Sequence, residues 1–418
     1  MLLMYLFIKY IKRGYIISFY NINIAAFIIT FFIASIYQFD DKAWEALAYS
    51  SAQPFLEQLN VCLKINLVGF FVFILTYTFS EFKNYKRSNN IIFNLSDNVE
   101  IRIVNIIFYA SIFIWFILIY YVKTIPLFGN RGVFNESSFD NIRPIYLAMN
   151  EIISICTKMY MLNFVKNRNM LFKLGIGIFV LLLTGNRGPV IEVLLIGLVY
   201  YSYCKYGKRK ANSKMLIGIV ALSIIGLSLQ FVRSNSEVNF NKIIYELFYG
   251  NTFSDVRDGA YVLFGWHYTF GTYIFGKNYV ADLISFLPSS INTYRQVWSW
   301  GSFSTDTLFG MKGHYGLRGG WFLEPYINFG YIGVIISAFI YAKFMAYLEN
   351  MFYNEIFIIK NNKYYILLLI SSLISIFFSS ILVSSSFHDI YVLLFMYAVV
   401  FVMSKFYRKL KIIKSGIK

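Results

Sequence analysis

Long apolar stretches, each broken by a short polar or basic block, repeat along the chain. A membrane-crossing helix needs roughly 20 mainly apolar residues. Ten stretches meet or approach that length: 15–38, 61–80, 102–122, 144–164, 171–185, 189–204, 214–232, 323–346, 364–383 and 390–405. The pattern predicts an all-α polytopic integral membrane protein of about 10 transmembrane helices, with no internal repeat. It divides the chain into an N-terminal membrane bundle of about seven helices (1–232), a large loop (233–322) holding short amphipathic helices, and a C-terminal bundle of about three helices with a basic tail (323–418).

Composition sharpens this reading. The 418 residues are 58% hydrophobic, 20% aromatic and only 14% charged, with a mean hydropathy of +0.58. Soluble domains carry about 25% charged residues, so an ordinary soluble enzyme is excluded. The net charge of +17 does not point to nucleic acid, because the basic residues sit in short blocks between apolar runs, as orientation signals do. With the N-terminus inside, inside segments carry 24 Lys and Arg and outside segments 12. This places both termini in the cytoplasm and the 233–322 loop on the far side. Cys62, Cys156 and Cys204 have no metal-ligand spacing and read as inert buried thiols. No cleavable signal peptide is expected, since the apolar Met1–Ile8 is too short to span and no small-residue cleavage site follows it.

The loop is no plain linker. It holds Trp266, Trp298, Trp300 and Trp321, four of the chain's six tryptophans, and Asn278 to Ile291 reads as an amphipathic or re-entrant element. A long aromatic loop suits a site at the outer leaflet, although interfacial aromatic belts give a similar composition.

Soluble-enzyme motifs are absent. Gly271 to Asn278 (GTYIFGKN) has P-loop glycine spacing, but Asn278 stands where magnesium needs Ser or Thr and no strand precedes it. Two constellations are richer in chemistry. Thr184-Gly185-Asn186-Arg187-Gly188-Pro189 joins two unusually short apolar runs. The helix that starts there would point its N-terminal amides outward, and Arg187 adds a fork that matches phosphate oxygens. The alternatives are snorkelling to lipid phosphates or pairing with Glu192. The second constellation runs from His314 to Gly333. His314 can move a proton near neutral pH. Arg318 follows, and Glu324-Pro325 opens a helix, where a carboxylate is either a cap or a catalytic group. Asp255, Arg257 and Asp258 form a charged cluster that reads as a salt-bridge group or as part of a site. Glu151 and Lys158 share a face of the fourth helix, where buried charges are costly and often functional.

Three segments, TGNRGP (Thr184–Pro189), IPLFGNRG (Ile125–Gly132) and EPYINFGYIG (Glu324–Gly333), resemble those of Wzy-type O-antigen polymerases, within the oligosaccharide repeat-unit polymerase family. The resemblance implies a glycosyltransferase that joins undecaprenyl-diphosphate-linked oligosaccharide repeats at the periplasmic face of the bacterial inner membrane, in lipopolysaccharide biosynthesis. Lipid-linked oligosaccharide would serve as donor and acceptor, a chain-length regulator protein would be a partner, and neither cofactor nor metal would be needed. It implies anion-holding arginines, which map onto Arg187, Arg131, Arg233, Arg257 and Arg318. His314 matches a loop histidine of the related O-antigen ligases, and Glu324 and Asp258 are the carboxylates able to take the acceptor proton. An O-antigen ligase and a flippase of lipid-linked oligosaccharide are the alternatives.

Overall fold

A computed structural model describes residues 19–45, 53–81, 97–128, 134, 139, 142–164, 168–185, 188–199, 201–202, 217–218, 249, 254–285, 287, 292–311, 316–350 and most of 390–406. The principal helices in chain order are α1 (Phe19–Tyr37), α2 (Leu56–Glu81), α3 (Asp97–Val122), α4 (Arg143–Phe164), α5 (Leu171–Leu183), α6 (Gly188–Val199), α7 (Asp255–Thr269), α8 (Lys277–Leu283), α9 (Thr293–Trp298), α10 (Leu323–Asn350) and α11 (Ile390–Met403). No strand occurs among the described residues. The protein is an all-α, polytopic membrane protein.

Among the described residues four segments are long and apolar enough to cross a membrane: Tyr20–Tyr37, Gln53–Ser80, Ile101–Val122 and Leu323–Glu349. Their apolar residues lie on both sides. In α2, Leu59, Ile65, Phe73 and Tyr77 are buried while Leu67, Phe71, Leu75 and Phe79 are exposed. A helix apolar all round suits lipid on its outer face. The helices α5 and α6 are shorter, at 13 and 12 residues, and their rise of about 18–20 Å falls short of the hydrocarbon core of about 30 Å. The expected spans at 214–232 and 364–383 lie almost wholly outside the described residues, so the number of ten is not established.

The described residues form two compact units. The first contains α1, α2 and α7 to α10; the second contains α3 to α6 and α11. In the first unit α7 packs on α2 and α1. Phe27 stacks on Phe70 with ring centroids 3.6 Å apart, and Trp321 lies alongside both rings. Gly69 provides the recess for the Phe322 ring. Polar pairs join the spans: the Tyr341 hydroxyl donates to Asn23 Oδ1 at 2.9 Å, and Tyr77 donates to Glu349. Between helices in lipid such bonds and close packing replace the hydrophobic drive.

In the second unit α4 packs against α3 and α5. Tyr160 donates to Asn105 at 2.8 Å, and Gly177 of α5 lies against Thr157 of α4. Lys158 is fully buried, and its Nζ stands 2.6 Å from Glu192 Oε2 on α6. The fourth-helix lysine thus has its ion-pair partner across the bundle, a pairing that helical spacing within α4 does not predict.

α10 is not a continuous rod. Leu323, Glu324 and Pro325 make its first turn, where a proline costs no intrahelical bond. The helix breaks at Gly330, whose φ of 64° and ψ of −154° belong to a region essentially restricted to glycine. The segment Tyr273–Gly276 docks on the break. Ile274 N donates to Ile327 O at 3.2 Å and Phe275 N to Asn328 O at 3.1 Å. The Asn328 side chain completes the seam. Its Oδ1 accepts from Gly276 N at 2.8 Å, and its Nδ2 donates to Asn278 Oδ1 at 3.1 Å and to Glu324 O at 2.8 Å. Irregular backbone at membrane depth is tolerated where protein satisfies it, and here one loop does so.

Candidate functional site

Two constellations hold the chemistry-bearing residues, one in each unit. In the first unit the groundwork is laid by a short π-helical turn, Phe303–Thr307, that follows the single turn Trp300–Ser302. It holds the buried Ser304 hydroxyl so that it accepts from Leu317 N at 3.0 Å, while Trp300 Nε1 donates to Leu317 O at 3.1 Å. Gly316, with φ of 98°, abuts the Gly301 backbone, and Gly319 lies on the Trp300 ring. Leu317 is thereby turned inward and Arg318 outward: Leu317 and Gly319 are buried and Arg318 is exposed.

Asp255, the first residue of α7, is partly buried, and the Arg318 charge acts on it in the sense that favours its ionised form. Burial pushes the Asp255 carboxyl above its ordinary range; the Arg318 charge pulls it down and Asp258 pushes it up. A Cβ on Gly320 would lie 3.6 Å from Asn66 Oδ1 and 3.8 Å from Asp255 Cβ, ordinary contact distances, so it is the φ of 68° that calls for glycine where this segment passes Asp255. Asn66 is held by its own donation to Cys62 O at 2.9 Å.

Arg257 and Asp258 occupy the buried side of the same helix. Arg257 is 1% exposed. Its Nε and Nη2 donate to Asp258 Oδ1 at 3.1 and 3.0 Å, and its Nη1 donates to Tyr249 O at 2.7 Å. Asp258 Oδ2 accepts from Ser254 at 2.7 Å. The guanidinium also faces the Tyr37 ring, and Tyr249 donates to Asp40. This pair fastens the start of α7 to the end of α1. Glu324 is also buried, in the first turn of α10. Tyr279 of α8 feels it: burial first, then the Glu324 charge, drive that phenol well above its usual value.

In the second unit the turn after α5 is held by two residue types suited to it. The Thr184 hydroxyl caps the helix by donating to Leu181 O at 2.7 Å, and Gly185 takes φ of 67°. The segment after α3 is bonded to this turn. Leu127 N donates to Leu183 O at 3.1 Å, and a Cβ on Gly185 would lie 3.1 Å from Pro126 O. Each of the joined segments runs into the same tetrapeptide, Gly-Asn-Arg-Gly, at 129–132 and at 185–188. The repetition is visible in the sequence; that the segments leading into its two copies are bonded to each other is not.

Of the arginines expected to hold anions, Arg257 and Arg318 fall in the first unit as described, while Arg131, Arg187 and Arg233 lie outside the described residues, as does His314. Arg257 and Asp258 are brought together, and the Arg318 charge acts on Asp255. Asp255 is the residue that the sequence underplayed: helical spacing puts it and Asp258 on neighbouring positions of one turn, and only the packing distinguishes the partly exposed Asp255 from the enclosed Asp258. Among the described residues no group of three or more His, Cys, Asp or Glu could hold a metal ion.

An all-α chain with apolar spans, a broken late helix and a Trp-rich segment before it defines a class: polytopic membrane proteins. The chain belongs to the O-antigen polysaccharide polymerase Wzy family, whose model matches residues 1–411, essentially its whole length. Neither a curated protein nor a solved structure matches it. Membership makes the protein a polymerase of O-antigen repeat units, a glycosyltransferase-type activity on lipid-linked oligosaccharide.

Proposed function

We propose that the chain transfers the growing polymer from undecaprenyl diphosphate onto the next lipid-linked repeat, at the periplasmic face of the bacterial inner membrane, with both termini cytoplasmic. The bond from the anomeric carbon to the diphosphate oxygen breaks. An acceptor hydroxyl forms the new glycosidic bond, its proton passes to a protein base, and the lipid diphosphate leaves.

The observation that carries this reading is the backbone bond from Leu127 N to Leu183 O, which joins the segments that lead into the two Gly-Asn-Arg-Gly sequences. Arg187 follows Gly185 by two residues and Arg131 follows Leu127 by four, so each is tied to this junction by at most about 7 and 14 Å of backbone. Two guanidinium forks tied to one junction suit a diphosphate, and fixed donors at a developing charge are a large source of rate enhancement. Asp255 serves as proton acceptor in this reading, and the exposed Arg318, whose charge acts on it, holds an anionic oxygen. His314 and Glu324 are the other proton carriers, Arg233 is a further anion ligand, and Arg257 with Asp258 keep α7 in place. A chain-length regulator acts on the protein as a partner.

The test is the lipopolysaccharide ladder of a deletion strain complemented with Arg131→Ala, Arg187→Ala and the double variant, each matched for expression. Loss of the ladder to a single repeat on core is expected for each. In membranes, turnover should fall about 100-fold or more for each, and the double variant should fall by less than the product of the singles, because both act on one leaving group. Full-length ladders from both single variants would remove the arginines from the reaction.

A further inference from the structure

The amphipathic helix α8 is inside out. Within α8 the polar Asn278 and Asp282 are buried, together with Ala281, whereas Val280 and Leu283 are about half exposed; just beyond its end Ser285 is buried and Leu287 is exposed. A helix against water shows the opposite arrangement. Asn278 is engaged on the buried side: its Nδ2 donates to Trp298 O at 2.7 Å, and its Oδ1 accepts from Asn328 at 3.1 Å.

The residue leading into α8 adds a second, independent sign. Phe275 has a φ of 48° and is 75% exposed. A bulky residue in the left-handed region is strained, and a bare phenyl ring in water would add a hydration penalty. The strain is imposed by the two hydrogen bonds that seat Ile274 and Phe275 on α10, and it directs an aromatic side chain outward.

The depth of this seat follows from α10. α10 breaks at Gly330, and its unbroken part from Tyr331 to Glu349 has 19 residues, about 28 Å of rise against a hydrocarbon core of about 30 Å. With that part spanning the core, the turn before the break, Ile327 and Asn328 included, stands where hydrocarbon begins, and Phe275 stands with it. Phe329 and Ile332, exposed on α10 itself, continue the same apolar surface. Lys277 lies on the Trp298 ring, 4.2 Å from its centroid, a pairing suited to the boundary where tryptophan and lysine collect.

We propose that α8 and the turn before it are embedded in the lipid leaflet at the N-terminal end of α10, with Phe275, Val280, Leu283 and Leu287 against acyl chains. The occupant of this surface is phospholipid, and the element is a monotopic insertion attached to a spanning helix. The inference needs only the spanning character of α10 and stands apart from the reaction proposed above.

The wild-type protein in nanodiscs of phosphatidylethanolamine and phosphatidylglycerol tests it, with a trace of phospholipid that carries a diazirine near the headgroup end of one acyl chain. After illumination, peptides covering 275–287 should carry lipid adducts as densely as those covering the exposed face at 332–340, and far more densely than the peptide around the exposed Asp306. Labelling of 332–340 without 275–287 would overturn the proposal. Nitroxides at Phe275→Cys and Leu283→Cys, in a background lacking the native cysteines, give a second readout. Collisions with oxygen should exceed those with a water-soluble nickel chelate; the reverse order, or shielding from both, would place water or protein on this surface and refute it.

Discussion

Asn328 shows how much one side chain can hold. Its amide makes three hydrogen bonds just before the break in α10, two to the docked 276–278 segment and one to Glu324 O, all of them buried. Asn328→Leu removes them together and leaves Gly276 N, Asn278 and the Glu324 carbonyl to be satisfied elsewhere. Each buried group left without a partner costs about 1–3 kcal/mol, so a loss of about 3 kcal/mol or more is expected, read as a lower midpoint of thermal unfolding in detergent. Gly330→Ala should also destabilise, by about 1–3 kcal/mol, because its backbone region excludes a side chain and a Cβ would lie 2.9 Å from the Tyr273 hydroxyl. Asp255 makes a prediction in pH. Its carboxyl is raised in the folded protein, chiefly by burial, so the folded state holds the proton to higher pH than the unfolded chain. Stability from this group is therefore full below the ordinary carboxylate range and is lost as pH rises through the raised value. Asp255→Asn should flatten that acid-side dependence of the unfolding midpoint. As proton acceptor the carboxylate must be ionised, so wild-type turnover should rise with pH over the same interval while the asparagine variant stays low throughout.

At the scale of elements, hydropathy alone disclosed most of the helices, because lipid on one side and protein on the other both select apolar residues. The 171–185 and 189–204 runs correspond to the short α5 and α6, and the run from 323 corresponds to α10. What periodicity could not disclose are the features made by backbone. The break at Gly330 leaves the apolar pattern untouched, and the Gly271–Asn278 stretch, unremarkable once the P-loop reading is set aside, supplies the donors that satisfy it. The site was legible in residue type more than in partner. The charged cluster at 255–258 was visible, but which carboxylate is enclosed depends on the packing. Lys158 and Glu192 illustrate the same point between helices. Removing the lysine as Lys158→Met strands a carboxylate inside the bundle and should cost about 3–5 kcal/mol, whereas Lys158→Met with Glu192→Leu should recover most of that loss. A double-mutant cycle on thermal unfolding measures the difference, and additive losses would mean that the pair is not coupled.

For the whole molecule, the order of assembly follows from where the first unit finds its parts. α1 and α2 leave the ribosome early, yet their partners are Tyr341 and Glu349, 318 and 272 residues further on. At about 5–20 residues per second, elongation over that interval takes roughly 15–60 s. During that time the Asn23 amide and the Tyr77 hydroxyl sit in the bilayer before their eventual partners exist. The chain therefore has a long nascent stage in which its earliest helices are inserted but not assembled, and the quality-control machinery of the membrane meets that stage in every molecule made.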